Sequence, residues 1–241
     1  MTTSREMTTG PALPLILNFT LPLLLGNLLQ QTYSLVDAAI VGQFLGIDAL
    51  AGVGASSSVI FLILGFCNGC CCGFGIPVAQ RFGARDYADM RRYVANALRL
   101  AVGISVTVAI VTSIWCADIL HAMRTPDNIF RDAYLYLLVT FIGIPCTFFY
   151  NLLSNIIRAL GDSRTPFWFL LFSTVLNIAL DLWFVLGLNR GVTGAAEATV
   201  VAQYLSGVGI AVYTLARFPQ ARAIGKLSGL RRARVREVLS F

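Results

Sequence analysis

Residues 49–79 read ALAGVGASSSVIFLILGFCNGCCCGFGIPVA, a stretch without a single charged side chain. Because about 20 apolar residues are enough for a helix to cross the hydrocarbon core of a bilayer, this stretch predicts a transmembrane helix. Its four cysteines, Cys67, Cys70, Cys71 and Cys72, have no histidine near them that could complete a metal site. We interpret them as small apolar residues that pack between helices.

The composition of the whole chain extends this interpretation to a polytopic membrane protein. Apolar types make up 57% of the 241 residues and charged types 12%, whereas about 25% of a soluble domain is charged. The mean hydropathy is +0.75. We expect an all-α protein with six transmembrane helices between a leader at 1–12 and a basic segment at 218–241. The predicted spans cover about 13–41, 49–79, 93–117, 132–158, 165–187 and 193–217.

Lysine and arginine are distributed unevenly between the two sides of these spans. Fourteen lie in the leader, the second-to-third and fourth-to-fifth connections and the C-terminal segment, and three lie in the connections on the other side. By the positive-inside rule both termini are expected in the cytoplasm of a multi-pass protein of the cell's inner (plasma) membrane. The net charge of +6 comes without aromatic–basic interleaving, so the expected partner is the lipid bilayer and not a nucleic acid.

Polar side chains recur at helical spacing within four of the predicted helices. Two roles would explain these residues: they form hydrogen bonds between the helices of a bundle, or they line a path for ions and solutes. The polar residues are Asn27, Gln30, Ser34 and Asp37 in the first helix, Tyr136, Thr140, Thr147, Asn151, Ser154 and Asn155 in the fourth, Thr174, Asn177 and Asp181 in the fifth, and Thr199, Gln203 and Ser206 in the sixth.

Two carboxylates, Asp37 and Asp181, are the polar residues that packing explains least, since an ionisable group inside a membrane is costly. At 1.5 Å per residue they lie about 6 and about 9 Å below the outer ends of their helices, level with Tyr136 and Thr199. Together with Asn177 and Thr199 they offer hard oxygen ligands, which suit Na⁺ or a proton. We predict a cation-coupling site here, with no cofactor and no metal beyond a possible Na⁺.

Deeper in the membrane, a second polar group is expected to line a cavity for the substrate, with packing as the alternative. It comprises Gln30, Tyr33, Asn151, Ser154 and Asn155. The Tyr33 ring offers an aromatic face to planar cationic compounds.

Prolines interrupt three of the predicted helices, at Pro22, Pro77 and Pro145. Each removes a backbone hydrogen bond and favours a kink. Pro22 lies about four helical turns below Asp37. A bend at Pro22 could therefore translate protonation into closure of the cavity, and a static kink is the alternative.

Four motifs together resemble the multidrug and toxic compound extrusion (MATE) family of transporters. They are LVDAAIVG at 35–42, RALGDSRTP at 158–166, NIALD at 177–181, and GVTGAAEAT at 191–199 followed by Gln203. The resemblance implies twelve helices in two six-helix lobes related by a pseudo-twofold axis. It also implies a secondary active antiporter that exports small organic cations or other amphipathic drugs in exchange for Na⁺ or H⁺.

The same resemblance implies roles for individual residues. Asp37, Asn177, Asp181 and Thr199 match the family's cation-coupling positions, with Tyr136 and Ala195 in support. Glu197 departs from the small or apolar residue usual at its position. Because it lies two residues from Thr199, near a helix end, we expect it to point to another face and to reach the membrane interface.

Six helices form one lobe of such a transporter, so the expected partner is a second lobe. We expect a longer chain that continues past Phe241, and a half-size protein that acts as a dimer is the alternative. The rival functions are a lipid-linked saccharide flippase of the same superfamily and a scaffold without transport. An enzyme is not expected, since the metal-binding and nucleophile motifs of membrane enzymes are missing from the sequence.

Overall fold

The computed structural model describes residues 12–217, which form helices joined by short connections. The predicted leader at 1–12, apart from the first residue of α1, and the basic segment at 218–241 lie outside the described residues. A π-helical turn, Trp183–Gly187, extends the seventh helix. The helices are α1 Ala12–Leu45, α2 Ile47–Gly83, α3 Tyr87–Ile114, α4 Cys116–Ala122, α5 Asp127–Ile142, α6 Ile144–Ala159, α7 Arg164–Leu182 and α8 Val192–Arg217.

Five of these helices are long and apolar enough to cross a membrane, namely α1, α2, α3, α7 with its π-helical turn, and α8. The sixth span is the pair α5 and α6, whose axes differ by 48° at a one-residue break. The predicted all-helical membrane fold is therefore confirmed. Apolar side chains on its surface, such as Leu28, Phe61 and Val102, can contact lipid in the membrane instead of water.

The break between α5 and α6 falls at Gly143, two residues before Pro145. Proline lacks a backbone N–H, so the helical hydrogen bonds stop here at little cost. Gly143 also packs closely against α8, since a Cβ atom on it would lie 2.3 Å from Cγ2 of Val200. The fourth predicted span is thus a broken span, which consists of two helices that meet at an angle.

The sequence-based boundaries need three main corrections. Helix α3 begins at Tyr87, earlier than the predicted 93. The connection predicted at 118–131 contains the short helix α4, which forms because Cys116 and Leu120 are both fully buried on one of its faces. Helix α5 begins at Asp127, earlier than the predicted 132, since Pro126 precedes the first turn and Asp127 favours its positive end. Hydropathy alone does not detect these polar helix starts.

Helix α6 lies at the centre of the apolar core and packs against α2, α3 and α8. Phe148, Leu152 and Ile156 are buried in it. Cys67 and Cys71 of α2 belong to the same core, and the Sγ atom of Cys71 lies 3.6 Å from the carbonyl oxygen of Phe148. Packing therefore accounts for these two cysteines.

The connection between α6 and α7 explains the motif at 158–166. Gly161 adopts a positive φ of 83°, which glycine tolerates without strain. Oδ1 of Asp162 then accepts hydrogen bonds from the backbone N–H groups of Arg164 and Thr165, both at 3.0 Å. The Thr165 hydroxyl donates to Oδ2 of Asp162 at 2.6 Å and lies 3.3 Å from the hydroxyl of Tyr213. The motif thus caps α7 and joins its start to the end of α8.

We expect Asp162→Ala to lower the free energy of unfolding by about 1 kcal/mol, the usual cost of losing a helix cap. Asp162→Asn keeps an acceptor oxygen in the same place and should lose much less. Thermal unfolding of the purified protein in detergent measures both. Equal melting temperatures for the alanine and asparagine variants would show that the cap does not stabilise α7.

We expect Gly143→Ala to destabilise the protein by roughly 1–3 kcal/mol, as overpacked cores do, because the new methyl group collides with Val200. Gly103→Ala in the middle of α3 is the matched control, since a methyl group added there would have no neighbour within 4 Å. A second change, Val200→Ala, should restore the stability of Gly143→Ala. No rescue by that double variant would contradict the proposed contact.

Candidate functional site

Two carboxylates are buried where α1 and α7 pack together. The side chain of Asp37 is 8% exposed and that of Asp181 is 0% exposed. The Asp181 carboxylate lies within electrostatic reach of Asp37. A buried carboxylate is costly unless hydrogen bonds or a cation compensate for the lost water. The surrounding side chains therefore decide what this pair can do.

Asn177 joins Asp181 to the neighbouring helix α8. In the amide orientation that satisfies both of its ends, Nδ2 donates to Oδ2 of Asp181 at 2.8 Å. Its oxygen accepts from the backbone N–H of Thr199 at 3.1 Å and lies 3.3 Å from the Thr199 hydroxyl. Asn177 and Asp181 can both face α8 because they are four residues apart and so share one face of α7.

Thr199 is the point where three helices meet. The hydroxyl of Tyr33 in α1 lies 2.8 Å from Oγ1 of Thr199, while Asn177 contacts Thr199 from α7. Oγ1 of Thr199 also lies 3.2 Å from the carbonyl oxygen of Ala195, one turn earlier in α8. Polar contacts therefore run without a break from Asp181 through Asn177 and Thr199 to Tyr33.

The other carboxylate has a single weak contact. The hydroxyl of Tyr136 in α5 donates to Oδ2 of Asp37 over 3.5 Å, which is long for a hydrogen bond between oxygens. Oδ1 of Asp37 and Oδ1 of Asp181 are buried and make no hydrogen bond within the described part of the chain. Two such acceptor oxygens are the groups that a proton or a hard cation such as Na⁺ would satisfy.

A small cavity lies beside this site, with room for about one water molecule. Tyr33 and Thr199 contribute to its wall, so the cavity is connected to the carboxylates through the same polar contacts. Gln30 is part of this wall as well, and its predicted role in a substrate cavity stays a prediction. The full lining is Gln30, Tyr33, Leu170, Ser173, Thr174, Thr199, Ala202 and Gln203.

The predicted cavity residues of the fourth span lie elsewhere. The side-chain amides of Asn151 and Asn155 donate to the carbonyl oxygens of Thr147 and Asn151, both at 2.9 Å. Ser154 is 1% exposed. None of these three predicted residues lines the cavity beside Thr199. The lining comes from α1, α7 and α8 alone, so the predicted role of Asn151, Ser154 and Asn155 in a larger substrate cavity stays a prediction.

Two features of the site were missed by the sequence analysis. The π-helical turn begins two residues after Asp181, where a continuous α-helix was expected. Ser173 lines the cavity together with Thr174 and Gln203, although only the latter two stood out by their polar spacing. Glu197, which was expected to point away from Thr199, forms an ion pair with Arg190.

Pro22 lies inside α1, which the structure describes as one helix from Ala12 to Leu45. A functional bend at Pro22 therefore stays a prediction.

Comparison with known proteins places this geometry in a family. The family model described as MatE matches residues 22–183. The probable multidrug resistance protein YoeA of Bacillus subtilis is 35% identical over 199 residues, which cover 81% of this chain and 43% of that protein. The probable multidrug resistance protein YpnP of the same organism is 32% identical over 198 residues, covering 82% of this chain and 44% of the relative.

A solved structure described as the outward-facing conformation of a multidrug resistance MATE family transporter superimposes with a TM-score of 0.90. It shares 25% sequence identity with this chain, and the match covers 99% of this chain and 53% of that one. The chain spans about half the length of the relatives that it matches. The family model, the relatives and the shared fold agree, and the chain belongs to the MatE family.

Proposed function

We propose that this chain is the ion-coupling lobe of a secondary active exporter, which moves organic cations or other amphipathic drugs out of the cell in exchange for Na⁺ or H⁺. One observation carries the proposal. The unsatisfied oxygens of Asp37 and Asp181 are buried together, and a continuous series of polar contacts connects Asp181 to the wall of a cavity. A lobe that only packed against lipid would have no use for such a site.

The contacts indicate how ion and substrate could influence each other. A cation or proton on the free Oδ1 atoms reduces the negative charge that the Oδ2 atoms present to Asn177 and Tyr136. A change at Asn177 is transmitted to Thr199, and Thr199 shares its hydroxyl with Tyr33. Tyr33 lines the cavity, so occupancy of the site and the shape of the cavity are linked through one threonine.

The names of the relatives support export of drugs as the cargo class, because YoeA and YpnP are both described as probable multidrug resistance proteins. Since the match covers less than half of each relative, a second lobe is part of the proposal. We propose that it follows in the same chain or comes from a second copy, with both termini of this lobe in the cytoplasm as the arginine distribution predicts.

A lipid-linked saccharide flippase is the alternative within transport. The buried pair Asp37 and Asp181 favours the ion-coupled exporter, because such a pair is costly to bury and a flippase without ion coupling would not need it.

We expect Asp181→Asn to abolish ion-driven drug export by the whole protein, since the amide can neither release a proton nor neutralise Na⁺. Asp37→Asn should have the same effect, because the two carboxylates act as one titrating unit. Asp127→Asn, an exposed acidic residue in the first turn of α5, is the matched control. Proteoliposomes with an imposed Na⁺ or H⁺ gradient measure the export of a fluorescent cation. Export by Asp181→Asn at the rate of the control would refute ion coupling at this site.

We expect Tyr33→Phe to raise the ion concentration for half-maximal export about five- to tenfold. This corresponds to one lost hydrogen bond of about 1 kcal/mol, the one made to Thr199. The substrate preference should change little, because the ring remains. Tyr33→Ala should change both, since the aromatic face for cations is lost as well.

Thr107→Ala is the matched control for both Tyr33 variants, because Thr107 is exposed and bonds only within its own helix in the described contacts. Its ion dependence and substrate profile should stay close to those of the wild type. A Tyr33→Phe variant with wild-type ion dependence would show that Tyr33 serves the cavity alone.

A further inference from the structure

An apolar cluster lies next to the two carboxylates, on the opposite side from the cavity. It is formed by Val41, Ala49, Val185, Val192 and Ala195, with Leu45, Val53 and Tyr136 packed against it. The five central side chains are between 0% and 6% exposed. We call these five residues the outer plug. It is separate from the large core around α6.

The register of the helices fixes where the outer plug sits. Val41 follows Asp37 by four residues and Val185 follows Asp181 by four, so each stands about one turn further along the same helix. Ala195 precedes Thr199 by four residues in α8, which runs the other way. All three steps lead towards the end of the lobe where residues 188–191 connect α7 to α8. With the orientation that the arginines predict, that end faces the outside.

The opposite direction leads into polar surroundings. Tyr33 precedes Asp37 by four residues, Ser173 precedes Asp181 by eight, and Gln203 follows Thr199 by four. All three line the cavity beside the cation site. Gln30, which is exposed, continues this lining at the surface of the lobe. The carboxylates therefore lie between a dry apolar layer and a polar cavity.

We propose that the outer plug closes the direct route between the carboxylates and the outer surface, so that cations reach Asp37 and Asp181 only through the cavity beside Tyr33. This inference rests on the proposed function, because it assigns a path to the same coupling ion. A cation in the plug would have to shed its water among valine and alanine side chains, which offer it no ligands. In the cavity, the tyrosine hydroxyl and glutamine amide can replace that water.

The consequence for transport is that ion and substrate share one entrance. A drug bound over Gln30 and Tyr33, at the mouth of the cavity, blocks the exit of the ion, and an ion can leave only when that mouth is open. Val41, Val185 and Val192 then support coupling because they keep ions and water out of the direct route, although none of them touches the ion.

The first test is the ion leak of the whole protein in proteoliposomes without drug. Val185→Thr keeps the shape of the side chain and adds a hydroxyl that can hold water in the plug. We expect its leak to rise about tenfold, which corresponds to a barrier lowered by about 1.4 kcal/mol. Val208→Thr, an exposed valine of α8, is the matched control. A leak no greater than that of Val208→Thr would overturn the inference.

The second test needs no transport and no polar group in the plug. Single cysteines are introduced as Gln30→Cys and Val41→Cys, in a background where the partly or fully exposed Cys70, Cys72 and Cys146 are replaced by alanine. A maleimide is then added to the purified protein in detergent, where the reagent has access to both ends of the lobe. We expect Gln30→Cys to react at least about tenfold faster than Val41→Cys, because reactivity follows the access of the thiolate to water.

The two tests separate the inference from the proposed function. Equal labelling of Gln30→Cys and Val41→Cys would overturn the plug even if Asp181→Asn abolishes export. Fast labelling of Gln30→Cys together with slow labelling of Val41→Cys would support the plug as a barrier even if Asp181→Asn still exported drug. In that case only the proposed ion coupling at Asp181 would be rejected.

Discussion

Two carboxylates inside an apolar bundle require compensation, and the arrangement of four helices around them supplies it. Asp181 receives the amide of Asn177 from its own helix, while Asp37 receives the hydroxyl of Tyr136 from α5. Thr199 of α8 contacts both Asn177 of α7 and Tyr33 of α1. One oxygen of each carboxylate is without a partner among the described residues, and these two oxygens are the acceptors for the proton or cation that we propose the site binds.

Much of this arrangement was predictable because few polar side chains are tolerated in membrane-spanning helices. Asp37, Asn177, Asp181 and Thr199 stood out since polar side chains at helical spacing have few reasons to exist in apolar helices. The depth estimate at 1.5 Å per residue brought Asp37, Asp181 and Thr199 to one level, and the structure connects Asp181, Asn177 and Thr199 by direct contacts. Local spacing was sufficient here because three of these residues lie on two helices that adjoin in sequence.

The parts that sequence could not predict depend on distant contacts and on backbone geometry. Asn151, Ser154 and Asn155 do not line the small cavity beside Thr199, and their predicted role in a substrate cavity stays a prediction. The close contact between Gly143 and Val200, which accompanies the bend, links residues far apart in the chain. The π-helical turn after Asp181 has no simple sequence signal, and the double role of Tyr33 depends on how α1 crosses α8. The helix α4 was missed because its short apolar face is interrupted by polar residues.

The bend at Gly143 divides the fourth span into two parts with different surroundings. The outer part, α5, carries Tyr136 to the carboxylates, whereas the inner part, α6, forms the centre of the core. Gly143 lies at the angle between them and leaves no room for a methyl group beside Val200. Val200 directly follows Thr199 in α8, so a larger side chain at position 143 would push on the helix that contacts Asn177 and Tyr33. The consequence is mechanical, because a residue that touches neither carboxylate can still shift the polar groups around them.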